Sequence, residues 1–261
     1  MTLSLCIAAF NEEKFIHYPL DAAYAIADEV ILVDGGSTDG TVRVAKSYGK
    51  KVAVILSDNP KMFHLNKQKT IEAASSDWIL QLDADETLSP ELAEEIKAVV
   101  QDPTRHFAGY QIPRRNFFLT RFLRKGGQYP DYTIRLYKNG AAKFACRDIH
   151  ENVELKGELG TLEFPILHYA DQTFGRYLAR WNRYISLEVL AMKKKNVKPC
   201  RPCYFIGKPL YTFLNMYFRH LAILDGFPGF VFSLFSAIRF WAIYIKWWQM
   251  SKIKAGLKLS R

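Results

Sequence analysis

The chain has 261 residues, of which 49% are hydrophobic, 24% charged and 14% aromatic. That length fits one large domain or one domain with an appendage, and the composition excludes a disordered, collagenous or coiled-coil chain. The net charge of +10 is unevenly placed: residues 193–261 hold 13 Lys/Arg against a single acid, Asp225, whereas residues 1–192 hold 23 against 25.

Residues 3–10 form an apolar run ending in Asn11, Glu12 and Glu13, which predicts a buried strand and a turn. Residues 17–27 are expected to be helical. Residues 29–33 predict a second buried strand, stopping at a loop that carries Asp34, Gly35, Gly36, Ser37, Asp39 and Gly40. A short helix over 41–48 is closed by Gly49, and 51–56 is a third strand. Residues 66–75 read as a helix and 78–82 as a fourth strand. Ser89 and Pro90, an N-cap and a first helical residue, open a helix reaching about Val100. This alternation predicts a mostly parallel α/β sheet with helices on both faces, whose ligands bind at the carboxyl ends of the strands. There the sequence gathers Asn11, Glu12, Asp34, Asp83 and Asp85.

Beyond Gly109 the pattern changes to short strands, at 109–113, 133–137, 142–144 and 153–155. After His168 it becomes helical, with 177–192 amphipathic. Residues 114–125 mix five basic residues with aromatics, suited to a phosphorylated acceptor or a membrane surface, or else to an amphipathic helix with a solvated basic face. Residues 204–258 carry Trp241, Trp247 and Trp248 with Arg219, Lys246, Lys252, Lys254 and Lys258, a pattern for the headgroup level of an anionic membrane. An oligomer interface burying the same aromatics is the alternative. The longest uncharged run there, 226–238, has 13 residues. A span needs about 20, so an interfacial segment is expected, with a re-entrant hairpin open. No secretory leader is expected, because no basic n-region precedes the first strand. Cys6 and Cys146 lie in apolar segments and read as buried thiols; Cys200 and Cys203 lack the second pair a structural zinc needs, so reduced thiols in a cytosolic compartment are expected.

Asp83 and Asp85 follow a buried strand, and if that strand continues they point the same way, as a hard-oxygen site for Mg²⁺ or Mn²⁺. The loop from Asp34 to Thr41 carries glycines that permit close ligand approach. The Asp34 carboxylate can accept from a base N–H or a ribose hydroxyl and repels phosphate. A capped helix start, with Ser37 or Asp39 as cap, is the competing reading of that loop.

Taken in order, residues 4–13, 34–41, 66–75 and 78–86 resemble a family 2 inverting glycosyltransferase of the GT-A fold. Later segments around Arg135, Glu151 and His168, with the aromatic, basic C-terminus, resemble the branch containing bacterial lipopolysaccharide-core glucosyltransferases. The resemblance implies a catalytic domain over 1–170, split into a nucleotide-binding half (1–100) and an acceptor half (101–170), followed by a helical membrane-associating region over 171–261. It implies a nucleotide-sugar site of Ala9, Asn11, Glu12, Asp34, Lys67, Lys69, Asp83 and Ala84, with Lys67 or Lys69 near the diphosphate. It further implies a divalent cation, Mn²⁺ or Mg²⁺, at Asp83, Asp85 and His168. Inversion demands a carboxylate base on the face opposite the leaving group; Asp131 and Glu151 are the candidates, with Asp131 preferred although Pro130 breaks the family's Glu-Asp pair. The implied reaction moves a hexose, glucose by resemblance, from a UDP-sugar to a lipid-linked or lipopolysaccharide-core acceptor; the alternatives are a glycosyltransferase acting on another cell-envelope glycan and a nucleic-acid-binding protein using the basic C-terminal region. The implied place is the cytoplasmic face of the inner membrane, held peripherally or monotopically. No nucleic-acid motif accompanies the basic tail, so nucleic acid is not an expected partner. The sequence leaves the oligomeric state open.

Overall fold

The computed structural model describes residues 1–60, 62–146 and 152–254. They divide into two compact units: Met1–Arg115 with Pro130–Tyr169, and Asn116–Tyr129 with Ala170–Arg261. The break in the main chain falls at 169/170, and the basic segment 116–129 belongs to the second unit rather than to the sheet domain around it.

In chain order the first unit contains β1 (Leu3–Ala9), α1 (His17–Ala23), β2 (Glu29–Asp34), α2 (Thr41–Ser47), β3 (Val52–Leu56), α3 (His64–Ala73), β4 (Trp78–Asp83), β5 (Glu86–Leu88) and α4 (Pro90–Gln101). Then come β6 (Gly109–Phe118), β7 (Arg121–Phe122), β8 (Asp131–Lys138), β9 (Ala142–Lys143), β10 (Glu154–Leu155), β11 (Leu159–Thr161) and β12 (Ile166–Asp171), of which β7 and the far ends of β6 and β12 reach into the second unit. The main sheet runs β3-β2-β1-β4-β8-β6-β12-β5. Its first four strands are parallel, and β4–β8, β8–β6 and β12–β5 are antiparallel. The sheet is therefore mixed, a parallel half continued by an antiparallel one.

Strand alternation sorts the core into two layers. Leu3, Leu5 and Ile7 of β1 pack with Leu20 of α1, Ala45 of α2 and Leu92, Ile96 and Val99 of α4. Cys6, one residue out of phase, faces the other side with Ile31, Ile79, Tyr137 and Ile71 of α3. Burial pushes the Cys6 thiol up from its ordinary 9.0 to about 12. Cys146 is only half-buried, so the expectation of two buried thiols holds for Cys6 alone. Helix α4 begins as its sequence predicts: the Ser89 hydroxyl accepts the Leu92 N–H at 3.2 Å and Pro90 takes the first turn.

The second unit is built on α5 (Phe174–Lys194), α6 (Lys208–Leu214), which is flanked by π-helical turns, and α7 (Gly226–Lys254). Ile185, Val189 and Met192 of α5 pack against Tyr204 and Ile243; Phe118 and Leu123 pack against Tyr177 and Val231. Residues 114–125 are not helical: β6 runs to Phe118 and turns back into β7, pairing Phe117 with Phe122. Alternation along a strand accommodates the mixed basic and aromatic residues that were also open to a helical reading. Cys200 and Cys203 are joined by a disulfide, their Cα atoms 5.2 Å apart, which replaces the reduced pair expected from spacing. Among the described residues one helix, Ala222–Lys252, is long and apolar enough to cross a membrane by length and composition. The uncharged run alone understates it, because Arg239 and Lys246 sit within an otherwise apolar helix.

Candidate active site

Strand β1 is where the sheet order reverses: β2 and β3 lie to one side and β4 to the other. In such sheets the ligand crevice opens beyond the carboxyl ends of the strands at this switch point. Here those ends are Ala9, Asp34 and Asp83. The loops after β1 and β2 are fastened together. Gly35 N–H donates to Ala9 O at 2.8 Å, Thr38 N–H to Asn11 Oδ1 at 2.8 Å and Glu12 N–H to Thr41 Oγ1 at 2.8 Å. Asn11 adopts φ +56°, a conformation Asn tolerates better than most side chains and one that aims its amide at the neighbouring loop. The Asp34 carboxylate accepts Gly36 N–H (3.1 Å), Ser37 N–H (3.0 Å) and the Ser37 hydroxyl (2.5 Å). Asp34 thus shapes its own loop. Neither Ser37 nor Asp39 caps α2, whose N-cap is Gly40; Asp39 instead accepts the Thr41 N–H at 3.0 Å.

Three cations and three carboxylates form one network beside the end of β4. Lys67 Nζ pairs with Asp83 Oδ1. Arg135 Nη2 donates to Asp83 Oδ2 at 2.6 Å and to Glu86 Oε1 at 2.7 Å. Arg114 Nη1 donates to Glu86 Oε1 at 3.1 Å, while its Nε and Nη2 hold Asp131 Oδ2 at 3.0 and 2.7 Å. Glu86 Oε2 accepts the Asp83 N–H at 3.0 Å. Lys67, Glu86 and Arg135 are buried. Buried charges persist only when paired and hydrogen-bonded, and equal numbers of each sign meet that condition here. Burial acts to raise the Asp83 carboxyl, but Arg135 and Lys67 outweigh it and hold it well below the usual carboxylate range. Burial lowers Lys67 from the ordinary lysine value, against the pull of Asp83.

The alternation that would point Asp83 and Asp85 the same way needs a continued strand, and the strand does not continue. Strand β4 ends at Asp83, and Ala84 and Asp85 form a turn into β5. Strand β12 runs antiparallel to β5, with His168 opposite Glu86, and Tyr169 N–H donates to Asp85 O at 2.8 Å. This brings His168 Nε2 to 3.4 Å from Asp85 Oδ1. The carboxylate and the imidazole are close enough to share one ion, and an oxygen–nitrogen donor pair suits Mn²⁺ or Mg²⁺ completed by phosphate oxygens. Among the described residues no group of three or more His, Cys, Asp or Glu side chains could hold a metal ion, so protein would supply two ligands at most here. Such ions rarely use an all-protein cage.

The sequence-derived set is distributed as follows. Ala9, Asn11, Glu12 and Asp34 line the fastened loops; Lys67, Asp83 and Asp131 enter the charge network; Ala84 is buried in the turn; Asp85 and His168 adjoin each other. Lys69 Nζ lies on Ser57 Oγ at 2.7 Å, near the end of β3, rather than on Asp83. Glu151 lies outside the described residues. Sequence reasoning missed Glu86, Arg114 and Arg135. No local signal gives Arg135: the β8–β6 register passes from Leu136 opposite Tyr110 to Ile134 opposite Gln111 and skips it, so alternation along the strand does not place it.

Residues 4–150 match the family described as Glycosyl transferase family 2. The chain belongs to this family. It is a glycosyltransferase with the GT-A fold. A Rickettsia bellii protein named "Uncharacterized glycosyltransferase" is 31% identical over 251 residues, covering 90% of this chain and 82% of that protein. The "Lipopolysaccharide core biosynthesis glycosyltransferase LpsC" of Rhizobium meliloti is 24% identical over 260 residues, 98% of this chain and 95% of that one. Among solved structures, the mannosyltransferase PcManGT of Pyrobaculum calidifontis, in complex with GDP-Man and Mn²⁺, superposes with a TM-score of 0.55 at 13% identity, covering 94% of this chain and 86% of that one. At that identity the likeness speaks for the fold alone.

Proposed function

We propose that this glycosyltransferase is metal-dependent and inverting. It moves a hexose, glucose, from a UDP-sugar to a lipid-linked or lipopolysaccharide-core acceptor at the cytoplasmic face of the inner membrane. The observation that carries the reading is the Asp85–His168 pair, 3.4 Å apart at the switch point of the sheet and next to the Asp83 network. Near full-length similarity to a protein named for lipopolysaccharide core biosynthesis supports the acceptor class. The apolar helix Ala222–Lys252 supports a membrane setting.

In this reading the fastened loops at Asn11 and Asp34 hold the nucleoside, and Lys67 and Arg135 fix the Asp83 carboxylate against it. Asp85 and His168 would hold the Mn²⁺ or Mg²⁺, which when bound neutralises charge developing on the departing diphosphate. The acceptor oxygen bonds to the anomeric carbon as the bond from that carbon to the phosphate oxygen breaks, and UDP departs. Asp131 takes the acceptor hydroxyl proton, with its orientation set by the two bonds from Arg114. Glu151 is the rival base.

The test is release of nucleoside diphosphate from a panel of sugar nucleotides, with and without Mn²⁺, by detergent-solubilised protein. Metal-dependent hydrolysis of one UDP-sugar is expected and identifies the donor. No release together with no UDP binding by calorimetry overturns the donor assignment.

A further inference from the structure

Asp225, the one acid of residues 193–261, does not face solvent; it is 1% exposed. Its carboxylate accepts the backbone N–H of Arg124 at 3.0 Å and of Lys125 at 2.8 Å, and its carbonyl accepts Arg121 Nη1 at 3.3 Å. Gly126 N–H donates to His220 O at 2.8 Å. Loop 121–126 is thereby fastened to the turn that precedes α7. The acid's charge is met by backbone donors and by Arg121, whose Nη2 lies 4.0 Å from its Oδ1, so it does not cancel the charges of Arg124 and Lys125. Arg124 and Lys125 have exposed side chains that form no ion pair among the described residues, and segment 116–129 contains no acid.

The same turn is apolar on its outer side. Leu221, Ile223, Leu224 and Phe227 are exposed, Leu224 by 63% and Phe227 by 72%. The turn is also fixed. Leu221 adopts φ +58°, a left-handed conformation that a bulky residue keeps only where its surroundings impose it. A Cβ at Gly229 would stand 2.0 Å from the Ala222 carbonyl oxygen, so α7 starts in direct contact with the turn. At the other end of α7 Trp248 is 51% exposed, but Lys246 and Trp247 are differently used. Lys246 Nζ donates to Asn182 Oδ1 at 2.5 Å and Ser186 Oγ at 2.7 Å, and Trp247 packs against the core around Ile243 under Lys193. The cation and ring at 246–247 are therefore engaged by other residues of the protein, whereas Arg124, Lys125 and the apolar side chains of 221–227 face outward.

Exposed Leu, Ile and Phe beside uncompensated cations match the interface of an anionic bilayer, where apolar side chains enter the acyl boundary and Lys/Arg stay at phosphate level. We propose that the turn 221–227 is the membrane-inserting tip of this protein, and that Arg124 and Lys125, held in place by Asp225, contact anionic phospholipid headgroups. This rests on the membrane-face reading above and narrows it from the whole basic region to one turn and one loop.

The full chain, diluted from detergent, would be co-sedimented with phosphatidylcholine vesicles with and without phosphatidylglycerol. Each basic residue near such a surface contributes roughly equally, and Arg124→Gln with Lys125→Gln is expected to lower partitioning onto phosphatidylglycerol vesicles about thirtyfold. Leu224→Ser with Phe227→Ser is expected to lower partitioning onto both vesicle types. Acceptor-independent UDP-sugar hydrolysis, unchanged in both double variants, reports that the fold is kept. If both bind as the parent does while Trp248→Ala with Lys252→Gln detaches the protein, the tip is wrong and the membrane reading stands. If the parent binds neither vesicle type, both fall.

Discussion

Arg135→Met tests whether the charge network beside β4 is a closed unit. The substitution keeps much of the side chain's apolar volume and removes the cation that joins Asp83 to Glu86 at 2.6 and 2.7 Å. Breaking a buried ion pair by removing one partner costs about 3–5 kcal/mol. Each carboxylate here retains a second cation, Lys67 on Asp83 and Arg114 on Glu86, so the low end, about 3 kcal/mol, is expected. For a unit of this size that lowers the melting temperature by roughly 6–12 °C and leaves a folded protein at 25 °C. Glu86→Gln added to Arg135→Met restores the balance of charge, two cations against two carboxylates. The double variant should therefore be more stable than the sum of the single effects by at least about 1 kcal/mol. Differential scanning calorimetry reads both. The donor KM of Arg135→Met should rise, because Asp83 loses one of its two clamps. A melting shift under about 2 °C, or additive effects, would show that the network is not a unit and that Arg135 merely fills space.

Three further outcomes are expected. Asp85→Asn and His168→Ala should each weaken Mn²⁺ binding measured by electron paramagnetic resonance and lower metal-dependent turnover on the order of a hundredfold; unchanged Mn²⁺ binding in both would remove the pair as a metal site. Asp131→Asn should lower kcat by about 10²–10⁴ if it is the base, while Glu151→Gln is far milder, and the reverse pattern transfers the role to Glu151. The Cys6 thiol, raised from 9.0 to about 12, binds its proton more tightly folded than unfolded. Its contribution to stability is therefore complete below pH 9 and declines between pH 9 and 12, by about 1.4 kcal/mol per pH unit. Urea unfolding of the parent should show that slope relative to Cys6→Ala; identical slopes would contradict it.

What the sequence reveals about this fold follows the range of the interactions involved. β1, β2 and β4 are continuous apolar runs because both faces of the strands are covered, and such runs are visible locally. Ser89 and Pro90 announce α4 because capping is settled within four residues. The bonds joining Arg135 to Asp83 and Glu86, by contrast, span 52 and 49 residues and exist only because β8 pairs antiparallel with β4. Nothing near Arg135 in the chain marks it. Asp83 and Asp85 were legible as a pair but their relation was not, since it depends on a two-residue turn rather than a continued strand. His168 is a histidine near a strand end until β12 aligns it with Glu86.

The two units manage charge in opposite ways, and the net +10 of the chain follows from the difference. In the first unit Lys67, Arg114 and Arg135 are matched by Asp83, Glu86 and Asp131, so their buried charge is compensated within the network and little affected by salt. In the second unit Asp171 and Glu188 pair with Arg180 and Arg239, and Asp225 is buried on backbone N–H groups with Arg121 Nη2 4.0 Å away, which leaves Arg124 and Lys125 without an acid of their own. Arg124 and Lys125 remain available to an outside anion and are fully open to screening. Raising ionic strength should therefore detach the protein from anionic vesicles while leaving the melting of the first unit in place. Asp225→Ala, which removes the acceptor of the Arg124 and Lys125 N–H groups, should weaken attachment without touching donor hydrolysis, because none of the residues assigned to the donor site lies in that unit.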